Sequence, residues 1–399
     1  MTGLILPRVG TAAPTGQTAA SRSTAVPARL ASIDAVRGFV MIVMLLDHVR
    51  ETFFVHMQVS DPMDARTVAP ALFFTRLLSA ICAPTFIALT GLSAWLYQQT
   101  HSRADTSLFL LKRGLVLLLL EVTVVSFGWS AQFPPHTLWL QVIWAIGICM
   151  IALAGLIRLP LAAVAGIGAA IVLGHNLLDT VSPSPDSPWF KPWAMLHQRA
   201  AFGVLGVTIK TTYPVLPWIG VIALGYVAGP LFARPMEERR RLFAAIGIGL
   251  LLGFVLLRAG NVYGDRTWAA VPGDPLRSLM SFVSLTKYPP SLLFLLPTLG
   301  GAALLLAAFE GRNGPIATRL AVMGGAAMGF YLLHIYVLRG LYLAALALWG
   351  PNHGEVFGLP DLASVWLLYA ALIVPLYVPT RWFAGLKRRR RDWRWLRYI

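Results

Sequence analysis

The sequence predicts an all-α integral membrane protein: a bundle of about ten transmembrane helices, with both termini in the cytoplasm. Three observations predict it. Of 399 residues, 57% are hydrophobic and only 13% charged, whereas a soluble domain is about a quarter charged. With a mean hydropathy of +0.68, the chain has too few polar groups to cover a water-facing surface. Apolar windows of about twenty residues, the length that crosses a bilayer as a helix, recur along it. Lys and Arg collect in alternate connections, as the positive-inside rule requires.

The first 29 residues, rich in Ala, Thr, Ser and Pro, read as a disordered cytoplasmic tail; "LILP" is too short for a signal-peptide core. Residues 30–385 form the transmembrane domain. Its spans fall near 33–53, 72–97, 108–128, 137–157, 160–178, 214–232, 242–258, 289–309, 321–348 and 362–383. Strand-like alternation is absent, which argues against a β-barrel. Connections on the N-terminal side hold Arg103, Lys112, Arg113, Arg158, "EERRR" (237–241) and Arg319; those opposite hold fewer cations, among them Arg66, Lys191, Arg199 and Arg266. The basic tail 386–399, "LKRRRRDWRWLRYI", suits an anionic inner leaflet. This asymmetry accounts for the net charge of +16 without nucleic acid. Cys82 and Cys149 fall inside apolar spans and make neither a disulfide framework nor a metal motif.

Ionisable residues within spans are rare and carry function by default. The first span opens with "SIDAVRG", where Ser32 suits a helix cap and Asp34 and Arg37, three apart, can pair. It closes with "MLLDHVRE". Asp47 shares a face with Arg50 and Glu51, and His48 lies at its edge, roughly 15 Å along the helix from Gly38. Four such groups need partners or water, so this end of the helix is expected to line a polar cavity. His56 and Asp61 follow in the next loop, Arg76 opens the second span, and Glu121 lies in the third. Lys287 precedes "YPPS", and "GFYLLHIYVLRG" brings Tyr331, His334 and Arg339. The long connection 179–213, with "VSPSPDSPWFKPW", reads as an interfacial segment or as a lid. No phosphate-cradling Gly loop, zinc motif or nucleophile elbow is present. Chemistry therefore rests on the intramembrane His, Asp and Arg residues.

The blocks "RLASIDAVRGFVMIVMLLDHVRE", "FFTRLLSAICAPTFIALTG", "YPVLPWIGVIALGYVAG", "KYPPSLLFLLPTLG" and "FYLLHIYVLRG" resemble, in this order, the bacterial branch of the heparan-α-glucosaminide N-acetyltransferase family. The resemblance spans nearly all of 29–385. It implies a membrane-embedded enzyme that takes acetyl from cytoplasmic acetyl-CoA, as co-substrate without a metal, and passes it to an amino sugar or glycan on the far side. The opening block is also similar to bacterial polysaccharide O-acyltransferases, whose Asp-x-x-Arg-Gly and catalytic His about ten residues on fall on Asp34, Arg37, Gly38 and His48. In the lysosomal enzymes the first helix ends in Asn and the essential His comes later, which His56 matches best. They also expect a Trp-containing segment and then an Asp at the second helix, where this chain has Arg76.

The resemblance therefore implies a site with His48 as base and His56 as second candidate, and Asp47 or Glu51 is expected to orient His48 if folding brings one to it. Arg37, Arg50, Glu51, Arg76, Lys287, His334 and Arg339 are expected to contact substrates, Arg37 and Arg339 through the CoA phosphates. Expected partners are the bilayer of a bacterial inner (plasma) membrane, acetyl-CoA and the acceptor; a homodimer is left open. Two other classes fit the same residues: a solute or glycan transporter with a proton relay, and a non-catalytic envelope protein.

Overall fold

A computed structural model describes residues 28–57, 63–390 and 392–398. The chain is mostly helical. In order, it forms α1 (Ala28–Phe53), α2 (Pro70–Leu78), α3 (Cys82–Gln98), α4 (Arg103–Leu120), α5 (Ser126–Ser130), β1 (Thr137–Leu140), α6 (Val142–Leu156), α7 (Leu161–Gly174) and α8 (Phe190–Leu196). These are followed by β2 (Ala201–Val204), β3 (Val207–Thr211), α9 (Leu216–Val227), α10 (Met236–Gly260), α11 (Pro275–Val283), α12 (Leu292–Phe309), α13 (Pro315–Gly324), α14 (Ala327–Trp349) and α15 (Leu362–Arg389). Among the described residues, seven helices are long and apolar enough to cross a membrane: Pro70–Gln98, Leu161–Leu178, Leu216–Ala233, Met236–Gly260, Leu292–Phe309, Ala327–Trp349 and Leu362–Arg389. The protein is a multi-pass membrane protein. Helix α6 is apolar but shorter, and α1, at 26 residues, is long enough but charged at both ends.

Local chemistry fixes many helix starts. Ser102, Ser291 and Asp361 accept hydrogen bonds from the backbone N–H three residues on, and Pro70, Pro275 and Pro315 occupy first-turn positions, where a missing N–H costs nothing. Helix α1 is the exception to the expected capping. It begins at Ala28, so Ser32 lies inside it and its hydroxyl donates instead to Glu310 at 3.1 Å. Residues 1–27 of the expected tail lie outside the described residues. At the other terminus, helix α15 runs on through Lys387, Arg388 and Arg389 rather than ending before the basic tail.

Two other expectations shift. The span expected over 321–348 is two helices, α13 and α14, broken at Gly325–Ala326. The fourth span starts at Val142, because Thr137–Leu140 form a strand. Strands β1, β3 and β2 make a three-stranded sheet in that order, β1 parallel and β2 antiparallel to β3. The connection 179–213 is thus built from α8 and a hairpin.

Helix α1 is the centre of the bundle, packed by α3, α12, α13, α14 and α15. Between helices in lipid there is little hydrophobic drive, so close approach at small residues replaces it. Gly91 and Gly225 serve α3 against α9, Gly114 and Gly147 serve α4 against α6, and Gly247 and Gly300 serve α10 against α12. The α1–α13 crossing is tightest. A Cβ on Gly38 would collide with the Leu320 carbonyl, and one on Gly324 with the Asp34 carbonyl. The glycines let α13 lie on α1, and the chain breaks at Gly325–Ala326 directly after this contact.

Gly38→Val is therefore expected to destabilise the fold by at least the ~1–3 kcal/mol of an overpacked core, because the obstacle is backbone. Thermal unfolding of the detergent-solubilised protein measures it, and Gly249→Ala, which meets open space, is expected to leave the midpoint unchanged.

Candidate functional site

Two polar clusters lie at opposite ends of α1. At the His48 end, the Asp47 carboxylate is held on both sides. Its Oδ1 accepts from Arg50 at 3.0 Å and its Oδ2 from Arg76 of α2 at 2.7 Å. Asp47, Arg50 and Arg76 are 8%, 4% and 7% exposed. Arg76 also donates to Ser79 Oγ at 2.6 Å, and Arg50 reaches Glu51 at 3.4 Å. Helical spacing places Arg50 beside Asp47, and the short helix α2 with its turn at Ser79 turns Arg76 back toward α1. The expectation that Asp47 or Glu51 orients His48 is not met. Asp47 is occupied by the two guanidiniums, Glu51 pairs with Arg50, and another residue engages His48.

That residue is His334. His48 Nδ1 and His334 Nε2 are 2.6 Å apart with the rings nearly parallel, and His334 is fully buried. His334 Nδ1 lies 2.9 Å from the Phe330 carbonyl, one turn back on α14. A carbonyl only accepts, so His334 Nδ1 carries the proton and Nε2 offers its lone pair. His48 Nδ1 must then be the donor, which leaves the lone pair on His48 Nε2. No protein group among the described residues hydrogen-bonds that nitrogen. Trp129 of α5 meets the His48 ring edge-on at 4.9 Å, and Tyr331 borders both imidazoles. Trp129 carried no polar periodicity and was not legible as a site residue; only its packing reveals it.

Lys287 reaches the same neighbourhood from the connection before α12, close enough for its charge to act on Asp47, His48 and Glu51. Its connection is pinned by Arg258, a buried guanidinium that donates to the carbonyls of Arg266, Ser281, Phe282 and Ser284. The neighbouring Tyr288 hydroxyl donates to Tyr213 at 3.3 Å. Tyr288 also lines a cavity of about 410 Å³ with Asp179, His197, Arg199, Asp265 and Arg266. That volume lies within the roughly 300–1,000 Å³ of small-molecule sites.

Three expected residues lie elsewhere. His56 stacks face to face on His353, centroids 3.7 Å apart, and packs against Gly358. Burial and the neighbouring His353 hold its imidazole below the ordinary value. No contact joins it to His48 among the described residues. Arg339 donates to the Ser130 carbonyl at 2.6 Å and lies over Tyr342, so it ties α14 to the end of α5. Glu121, within a π-helical turn, accepts from the backbone N–H groups of Gln141 and Trp144, about 3.1–3.2 Å away, and so caps α6.

At the other end of α1, Arg37 donates to Asp34 at 3.0 Å, to the Leu89 carbonyl at 3.2 Å, and to Ser93 Oγ. Arg113 of α4 and Lys387 of α15 are close enough for their charges to act on Arg37. Among the described residues, three cations thus act around the Asp34 carboxylate, and Arg113 Nε is buried without a hydrogen-bond partner. Such a surplus suits a phosphate-bearing ligand.

The sequence matches the family model described as heparan-alpha-glucosaminide N-acetyltransferase, catalytic, over residues 29–258. The matched segment holds Arg37, Asp47, His48, Arg50 and Arg76; Lys287, His334 and Arg339 lie beyond it. No curated protein matches the chain.

Asp47→Ala is expected to cost about 3–5 kcal/mol, because it strands Arg50 and Arg76 as buried unpaired charges. A thermal melt in detergent reads this, and a double variant that also carries Arg76→Leu is expected to recover part of the loss.

Proposed function

The chain belongs to the heparan-alpha-glucosaminide N-acetyltransferase family, and from that premise we propose that it moves an acetyl group from cytoplasmic acetyl-CoA to an amino sugar or glycan on the opposite side, with His48 as general base. The observation that carries this reading is the relay from Phe330 through His334 to His48. It fixes the tautomer so that the bare Nε2 of His48 is the nitrogen able to take a proton. The acceptor amine or hydroxyl attacks the thioester carbonyl carbon while His48 Nε2 removes its proton. The new bond to the acyl carbon forms, the C–S bond breaks, and the proton passes to the departing CoA thiolate. As His48 becomes an imidazolium, its Nδ1–H bond to His334 becomes charge-assisted and strengthens. Lys287 supplies positive charge where the thioester oxygen turns anionic.

Asp47 acts in this reading by anchoring Arg50 and Arg76, which keeps the face beside His48 polar. Eleven residues of helix, about 16 Å, separate Arg37 from His48, a distance of the order of the pantetheine arm. Arg37, Arg113 and Lys387 would receive the CoA phosphates while the thioester reaches His48. The 410 Å³ cavity, whose wall shares Tyr288 with the His48 neighbourhood, would admit the acceptor. The same reading assigns the chain to a bacterial inner membrane with ten spans and both termini cytoplasmic, supported by the Lys and Arg asymmetry of its connections.

The test uses purified protein, labelled acetyl-CoA and amino-sugar acceptors. His48→Ala is expected to lower transfer about 10²–10⁴-fold, the worth of a positioned base; transfer or acetyl-CoA hydrolysis at the wild-type rate would overturn the assignment. His334→Ala is expected to lower kcat less than His48→Ala does, and His56→Ala to leave it near wild type. In a second assay, Arg37→Gln is expected to raise the KM for acetyl-CoA with kcat little changed. Solute uptake by proteoliposomes, with no sugar or glycan ever labelled, would favour transport.

A further inference from the structure

His175 occupies the 3₁₀ turn that closes α7, Asp179 follows that turn, and His197 follows α8. The fold brings the three together from two separate segments. One ligand atom from each lies within 4.8 Å of the other two. His197 Nε2 is 3.0 Å from Asp179 Oδ1. His175 and His197 are 2% and 3% exposed. Both ring nitrogens of His175 are buried with no hydrogen-bond partner, as is Nδ1 of His197. Three buried imidazole nitrogens without partners are costly, and packing alone gives no return for them.

We propose that His175, Asp179 and His197 form a zinc site whose open coordination position faces the cavity lined by Asp179, His197, Arg199 and Tyr288. The donor set of two imidazoles and one carboxylate is one that Zn²⁺ takes, with three protein ligands leaving a fourth position for water or a ligand. Bonds of about 2.0–2.2 Å at tetrahedral angles put ligand atoms roughly 3.3–3.5 Å apart. Asp179 and His197 already stand near that separation, and His175 has to close by only a little over 1 Å, within reach of a side-chain rotation.

The surroundings are those of a supported metal site. Asn176 Nδ2 donates to Asp179 Oδ2 at 2.9 Å, orienting the carboxylate while leaving Oδ1 for the ion. Asn176 Oδ1 in turn accepts from the backbone N–H of Leu292, which ties the site to the start of α12. Trp193 packs edge-on against His197 and donates to the Val181 carbonyl. Access comes through Asp179, whose side chain is 48% exposed and lies in the cavity wall. An ion held there would fasten the α7 end to α8 and offer the cavity a Lewis acid for an oxygen ligand. The sequence carries no zinc motif, and His175 and His197, 22 residues apart, are brought together only by the fold. The proposal shares its cavity with the acceptor of the proposed reaction but does not rest on acetyl transfer or on His48.

The test uses the full chain purified in detergent without a polyhistidine tag, stripped with a chelator, dialysed against micromolar Zn²⁺ and measured by plasma mass spectrometry. Wild type is expected to hold one zinc per chain, and Asp179→Asn and His175→Gln less than a tenth of that. Wild type retaining no zinc, or variants retaining as much as wild type, would overturn the proposal. Co²⁺ loading of wild type guards against a variant that fails to fold. Visible d–d absorption that Zn²⁺ abolishes is expected, and its absence counts against the site whatever the variants do.

Discussion

The ion pairs of Asp47 with Arg50 and Arg76 constrain everything around α1. A carboxylate and a guanidinium on a helix that crosses a bilayer cannot face lipid, because each unpaired charge at that depth is costly. Nor can they be satisfied within α1 alone, since Arg50 reaches only one Asp47 oxygen. Arg76 has to arrive from α2 to engage the other. The helix is therefore drawn to the centre of the bundle, with α3, α12, α13, α14 and α15 around it. Along α1, Ile33, Val36, Val40, Met41, Leu45 and Val49 are buried against these neighbours.

Once α1 is central, its two ends acquire different chemistry. At the Arg37 end, cations from α1, α4 and α15 outnumber the single carboxylate of Asp34. At the His48 end, Asp47 and Glu51 are paired with Arg50 and Arg76, Lys287 adds a further positive charge, and the candidate base is an imidazole hydrogen-bonded to a second imidazole. This division suits a two-substrate reaction. In the proposed reaction an anionic carrier would be drawn to the first end by Coulomb attraction and proton transfer would take place at the second, where Trp129 and Tyr331 border the His48 ring. The connections before α12 complete the second end. Arg258 pins their backbone, which sets Lys287 and Tyr288 between the paired charges and the cavity.

The hydrogen bonds leave the relay little freedom. The Phe330 carbonyl decides which nitrogen of His334 is protonated, and His334 decides the same for His48. A serine-type triad reaches that end with a buried carboxylate. Here a backbone carbonyl does it, so no further negative charge enters the membrane interior. Asp47 is thereby free to hold the two arginines.

By itself the sequence determined the membrane-helical class, because a chain with 13% charged residues, apolar windows of helical length and no strand-like alternation satisfies its backbone in lipid with helices. It also determined that the end of the first helix is polar, and that Asp34 pairs with Arg37, since i,i+3 neighbours on one helix face need no tertiary information. Tertiary structure alone decided the partners separated by long stretches of chain. His334 lies 286 residues from His48, and nothing in local periodicity says that α14 brings it to α1. Arg76 was legible as a costly intramembrane charge, but not as the second hand on Asp47. His56 and Arg339 were equally plausible from composition, and packing turned one onto His353 and the other onto Ser130. The break between α13 and α14 had the same origin. An apolar window reads as one span, whereas Gly324 against the Asp34 carbonyl is a contact that only the folded chain contains.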